Sequence, residues 1–257
     1  MIEHLCGPMH PLRARATLAL FCAAALTIAA LAGCEGIPSR ESGAAPPSAA
    51  PPDAAPQPAV PAHVPAGTPR FEVKADESEI RLLVGREGPL SELGHSHVII
   101  APVHGELYST DAVASSGFTL EIRVQEFEVD PPTARAEEGP AFASPVPDAA
   151  RQGTRTNMLG SEVLNAAAFP AIRIESVALS GPPWNPDVSV RISVRGTTRD
   201  VDFPCAVIHT GNEITVIANF TVRQSDLGIT PYSVLGGGLK VSDAIRVRAR
   251  IVARRVS

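Results

Sequence analysis

Apolar and polar residues alternate along the last third of this chain, strand after strand. Val188, Val190, Ile192 and Val194 are separated by Ser189, Arg191 and Ser193, and Ile245, Val247, Ala249 and Ile251 by Arg246, Arg248 and Arg250. Successive side chains of a strand point to opposite faces, so each run has one apolar and one wet face. The same period recurs where Phe118, Leu120, Ile122 and Val124 alternate with Thr119, Glu121 and Arg123. Further strands are expected at 71–74, 78–84, 95–102, 171–179, 201–209 and 213–222. One helix is expected at 157–168, built on Met158, Leu159, Val163 and Leu164. Residues 131–153, rich in Pro, Ala and acidic side chains, read as a long exposed loop with a short helical piece. This inventory is all-β, a sandwich or a barrel. A barrel with an apolar lining makes a held ligand the first functional idea.

The front of the chain has a different character. Arg13 and Arg15 precede an apolar run at 16–31 that is too short to span a bilayer comfortably. Basic residues before a short apolar stretch mark a secretory signal. The run ends in Leu31-Ala32-Gly33-Cys34, which resembles the lipobox of bacterial lipoproteins. That resemblance implies cleavage before Cys34, lipidation of its sulfur and acylation of the new amino group. Two or more acyl chains anchor a protein stably where one does not. Glu35 rather than Asp after the cysteine implies, by the same resemblance, the outer membrane facing the periplasm. Met9 is an alternative start, because the first eight residues add nothing to the signal.

From 34 to 69 the chain is mostly Ala and Pro, without aromatic residues until Phe71. Such a segment buries too little apolar surface to offset its ordering entropy and is expected to be a disordered spacer. At about 3.1 Å per residue in a polyproline conformation it reaches on the order of 100 Å. The expected organisation is therefore a signal peptide at 1–33, a tether at 34–69 and one folded domain at 70–257. Without its first 33 residues the chain carries 20 basic and 26 acidic side chains and no basic block, which argues against nucleic acid as a partner. Cys6 and Cys22 fall in the signal and Cys34 at the lipid site, so Cys205 stands alone in the domain and reads as a small buried hydrophobe.

Three segments carry a resemblance to a known family. They are Arg155-Thr156-Asn157-Met158-Leu159-Gly160-Ser161-Glu162-Val163-Leu164 with Phe169-Pro170-Ala171-Ile172-Arg173-Ile174-Glu175-Ser176; Gly196-Thr197-Thr198-Arg199-Asp200-Val201; and Phe220-Thr221-Val222-Arg223-Gln224-Ser225-Asp226-Leu227-Gly228-Ile229 with Val241-Ser242-Asp243. In order and spacing they resemble the YceI-like family of periplasmic, lipocalin-like proteins. The resemblance implies an extended antiparallel barrel with one short helix and a tunnel-like apolar cavity. It implies a polyisoprenoid or similar long-chain lipid as ligand, and no cofactor that does chemistry.

The residues themselves point the same way. Burying a hydrocarbon tail is worth about 0.8 kcal/mol per CH₂, so a long chain needs no dedicated polar site for affinity. Ile122, Val124, Ile172, Ile174, Ile192, Val194, Phe203 and Phe220 are the expected lining, with the head group at one rim. A filled barrel with no cavity is the plain alternative. The second reading is a metal-binding or redox-accessory barrel. His95 and His97, two apart on an expected strand, would share a face, with His104 and Glu92 nearby. Enzyme chemistry has little support. There is no Gly-x-Ser-x-Gly elbow, Glu137 and Glu138 lie in the expected loop, and Gly236-Gly237-Gly238 lacks the Lys and helix of a phosphate loop.

Overall fold

The two-residue alternation closes on itself in space. The computed structural model describes residues 59–256. It contains β1 (Arg70–Val73), β2 (Glu79–Glu87), β3 (His97–Ala101), β4 (His104–Tyr108), β5 (Gly117–Arg123), β6 (Glu128–Val129), β7 (Ala171–Ser180), β8 (Asp187–Val194), β9 (Thr197–Thr210), β10 (Glu213–Arg223), β11 (Ser233–Val234) and β12 (Leu239–Arg255). Two α-helices, α1 (Pro132–Ala136) and α2 (Asp148–Leu159), lie between β6 and β7.

The first six strands are three long strands, each broken once. β1 and β2 run in succession along β12, with Phe71 opposite Arg255 and Glu79 opposite Arg250. β4 and β3 follow along β1 and β2, and β5 and β6 follow along β4 and β3. Counted this way, eight antiparallel strands form a closed barrel, and the pairing of β1 with β12 completes the ring. Closure leaves the sheet without a free edge strand.

Each break has a local cause. Between β1 and β2 the ladder is replaced by a side chain, because Val252 N donates to Ser78 Oγ at 2.9 Å. Between β3 and β4 stands Pro102, which has no N–H to give. Gly105 follows at φ 140°, and a Cβ there would lie 2.1 Å from Thr119 O. Between β5 and β6 the chain makes a 3-10 turn at Val124–Glu126.

The inward face of β8 (Val188, Val190, Ile192, Val194) is buried throughout, and so are Ile214, Val247 and Ile251 across the barrel. The outer face of β2 and β3 carries a second, smaller core. Leu83 and Val98 pack there with Ala134 of α1, and Ile100 and Phe142 complete the patch. The loop expected to be exposed at 131–153 is therefore pinned to the barrel, because these outward apolar residues need a cover. Glu138, expected on a solvated surface, is buried between Arg81 Nη1 at 3.0 Å and Arg248 Nη1 at 2.9 Å.

Three further expectations need correction. The helix spans Asp148–Leu159, earlier than expected, because Pro147 precedes its first turn and the chain leaves the helix at Gly160. Val163 and Leu164 lie beyond it in turns closed by Asn165 N on Gly160 O, with Asn165 at φ 47°. β4 has no counterpart among the expected strands: His104, Gly105 and Glu106 interrupt the apolar pattern and hide it. The segment before Arg70 is ordered from at least residue 59. Pro61 and Val64 are buried, and His63 Nε2 lies 2.9 Å from Ser116 O. Gly117 makes the room, since a Cβ there would sit 2.7 Å from Val64 Cγ2. The expected signal peptide, Cys34 and the front of the tether lie outside the described residues.

Candidate functional site

The cross-strand register stacks the apolar residues of neighbouring strands into rows. Ile122 faces Ile172, Leu120 faces Ile174, and Ile174 faces Ile192. These rows surround a cavity of about 300 Å³ inside the barrel. That volume is at the lower end of the ~300–1,000 Å³ typical of small-molecule sites.

Seven of the eight expected lining residues meet at this cavity: Ile122, Ile172, Ile174, Ile192, Val194, Phe203 and Phe220. They come from β5, β7, β8, β9 and β10, so the strand phase read from the alternation holds on all five. Val124 does not line it. The residue begins the 3-10 turn after β5, its N–H donates to Pro170 O at 3.0 Å, and its side chain is buried in the core instead. The turn takes over one residue before the alternation in the sequence ends. The opposite wall (Leu82, Val84, Ile99, Val247, Ala249) was not among the expected lining. Its signal was present in the alternation of 78–84 and 245–251, but nothing in sequence says that those faces meet the others.

Polar groups are few and sit toward one end. Of the 35 lining residues only His97, Thr154, Asn157, Gln224 and Tyr232 are polar, and none is a carboxylate, lysine or arginine. His97 pairs with Val84, which in turn pairs with Ile245, and Gln224 N donates to Asp243 O at 2.9 Å. Both therefore lie where β12 begins. Thr154 Oγ1 of α2 lies 3.4 Å from His97 Nε2. Gln224 is itself held by donation of Nε2 to Ser242 O at 2.8 Å.

His97 links this end to a buried network outside the cavity. Its Nδ1 is 2.6 Å from Asp130 Oδ2. Asp130 is fully buried at φ 52°, and its Oδ1 accepts from Val98 N at 2.8 Å and Arg135 Nη1 at 2.5 Å. Burial by itself would push the Asp130 carboxyl up. The hydrogen bonds from His97, Val98 and Arg135, with the charge of His97, outweigh it and hold the carboxyl below its usual value.

The expected metal cluster is dispersed. His95 precedes β3, so it does not share a strand face with His97, and the two rings meet edge-on with centroids 6.5 Å apart. His97 Nδ1 is taken by Asp130, His104 Nε2 by Glu126 at 2.8 Å, and Glu92 by Arg86 at 3.1 Å. Among the described residues no group of three or more His, Cys, Asp or Glu side chains is placed to hold a metal ion. Cys205 is buried on the inner side of β9, and burial, with the Asp187 charge, pushes its thiol up to about 11.

The model of the YceI-like domain matches residues 71–253. No curated protein matches the chain in sequence. In structure it is similar to BcnA of Burkholderia cenocepacia, with a TM-score of 0.53 and 12% identity over 70% of this chain and 98% of that one. It is also similar to the YCEI protein of Campylobacter jejuni, with a TM-score of 0.44 and 10% identity over 60% of this chain and 81% of that one. The likeness to BcnA is one of fold.

Proposed function

The chain belongs to the YceI-like family, and on that premise we propose that it is a binding protein, not an enzyme, that holds the tail of a long-chain amphiphile in its barrel. The observation that carries this reading is the lining itself: 30 apolar residues against five polar ones, the polar ones gathered toward one end. An apolar cavity of this kind stays dry and takes up hydrocarbon. The tail would lie among Ile122, Ile172, Ile174 and Ile192, with the head group at the end of the barrel toward which the polar residues gather. The apolar lining suits the tail of a polyisoprenoid or of a fatty-acid-like lipid. The lipobox-like sequence at Cys34 supports a periplasmic location with a lipid anchor in the outer membrane. Dispersal of His95, His97, His104 and Glu92 among separate partners speaks against the metal-binding reading.

Native mass spectrometry of the chain, purified from bacteria without detergent, tests the proposal. The expected result is a discrete adduct of several hundred daltons that is released on denaturation and extractable into organic solvent. A bare mass that stays bare after incubation with fatty acids and isoprenyl phosphates would overturn it. A metal-sized increment lost on replacing His95 and His97 would reinstate the alternative.

A further inference from the structure

The ladder between β9 and β10 stops halfway. Residues 205–210 pair with 213–218, yet β9 continues to Thr197 and β10 to Arg223 without pairing with each other. Beyond the last pair, each strand is held only on its far side, β9 by β8 and β10 by β12. The cause is Pro204. Cys205 N and Val207 N donate toward β8, to Pro186 O and Trp184 O, each at 3.0 Å. The even-numbered residues of β9 therefore present their N–H groups to β10. Pro204 has none to present, and the zipper ends there.

A seam opens from that point. At its apex Phe203 and Phe220 stack with centroids 3.9 Å apart and planes 1° apart. Val201 and Val222 flank it next. Leu227 and Gly228 close the far end, Gly228 lying so near Thr197 that a Cβ would be 2.7 Å from Oγ1. Phe203, Phe220, Val222 and Leu227 all line the cavity and all are only half-buried.

One cation stands on this seam. Arg199 lies directly across from Ile192, a cavity residue, so its side chain leaves β9 on the inner face. The residue is nevertheless exposed, its guanidinium donates to Thr198 O at 2.8 Å, and it has no carboxylate partner among the described residues. The neighbouring acids are engaged on the other face: Asp200 is held by Arg191 through two bonds of 3.0 Å, and Asp202 accepts from Ser189 Oγ at 2.5 Å.

We propose that the seam between β9 and β10 is the ligand's lateral entrance and that Arg199 receives an anionic head group there, which makes the preferred ligand an amphiphile ending in phosphate or carboxylate. The inference rests on the amphiphile-binding reading above. Entry by this route parts one aromatic pair and breaks no ladder hydrogen bond. It also leaves the head in water while the tail slides inward. A guanidinium matches the two oxygens of a phosphate or carboxylate in a way that an ammonium does not.

Calorimetric titration of the lipid-free chain with dodecyl phosphate and with dodecanol separates the two readings. Arg199→Gln is expected to weaken dodecyl phosphate about five- to tenfold and to leave dodecanol unchanged. Pro204→Val restores the missing donor opposite Asn219 and is expected to slow uptake about tenfold in stopped-flow, while Phe220→Ala speeds it. The tenfold figure is an order of magnitude for hydrogen bonds that must now break on opening. Equal weakening of both probes, or none, by Arg199→Gln would overturn the head-group assignment. Unchanged uptake rates in folded Phe220→Ala and Pro204→Val would overturn the entrance, and Phe220→Ala decides alone if Pro204→Val does not fold. Failure of the parent chain to bind either probe would overturn the amphiphile reading itself.

Discussion

His97 and Asp130 join the cavity wall to the packing outside it, Nδ1 lying 2.6 Å from Oδ2 while the other carboxylate oxygen accepts from Val98 N and Arg135. Replacing the carboxylate by an amide keeps one acceptor oxygen for Val98 N but leaves the Arg135 guanidinium buried without its counter-charge and sets an NH₂ donor against His97 Nδ1. Asp130→Asn keeps the positive φ, which Asn tolerates as Asp does, and should cost about 3 kcal/mol at neutral pH.

The pH dependence of that loss follows from the direction of the shift. The Asp130 carboxyl is held below its ordinary value in the folded chain. Its contribution is therefore present above the unfolded value of about 3.9 and disappears as pH falls through the lower, folded value. Urea unfolding of Asp130→Asn and the parent chain should differ most at neutral pH and converge as pH falls below the ordinary carboxylate range. A constant gap across that range would mean that the carboxylate charge is not the stabilising element.

Gly105 is the least replaceable glycine of the barrel. Its φ is 140°, and an added Cβ would lie 2.1 Å from Thr119 O and 2.9 Å from Leu120 Cα. Both obstacles are backbone of the paired strand β5, so no side-chain rotation relieves them. Gly105→Ala should cost about 3 kcal/mol or more and lower the melting temperature by roughly ten degrees. Differential scanning calorimetry checks it.

Thr119 offers a change in the opposite direction. Its Oγ1 is buried without a hydrogen-bond partner. Thr119→Val replaces that hydroxyl by a methyl of similar size and removes a desolvated, unanswered polar atom. A gain of about 1 kcal/mol, or roughly 2–4 °C in melting temperature, is expected.

Cys205 should be chemically quiet. With its thiol pushed up to about 11 by burial and by Asp187, almost no thiolate exists at neutral pH. In a chain whose Cys6, Cys22 and Cys34 are replaced by serine, a thiol-specific chromophore should label Cys205 only on the timescale of unfolding. Rapid labelling of the native chain would contradict the buried placement.

The alternation of Phe118, Leu120 and Ile122, of Val188 to Val194 and of Ile245 to Ile251 determined strand identity and which side chains share a face, because a pleated strand has a period of two whatever surrounds it. It therefore also determined most of the lining. The resemblance of Leu31-Ala32-Gly33-Cys34 to a lipobox is a local pattern of the same kind, read without any fold.

Tertiary structure decided what local patterns do not encode. β4 was invisible because Gly105 serves a close approach to Thr119, a constraint set by another strand. The fate of 131–147 was decided by Leu83, Val98 and Ile100, outward residues that needed a cover. The histidines near residue 95 took separate partners because Asp130 and Glu126, distant in sequence, arrive beside them. The seam at Pro204 depends on which edge of β9 faces β10. That follows from hydrogen-bond parity across three strands, a relation between segments that exists only once the barrel has closed.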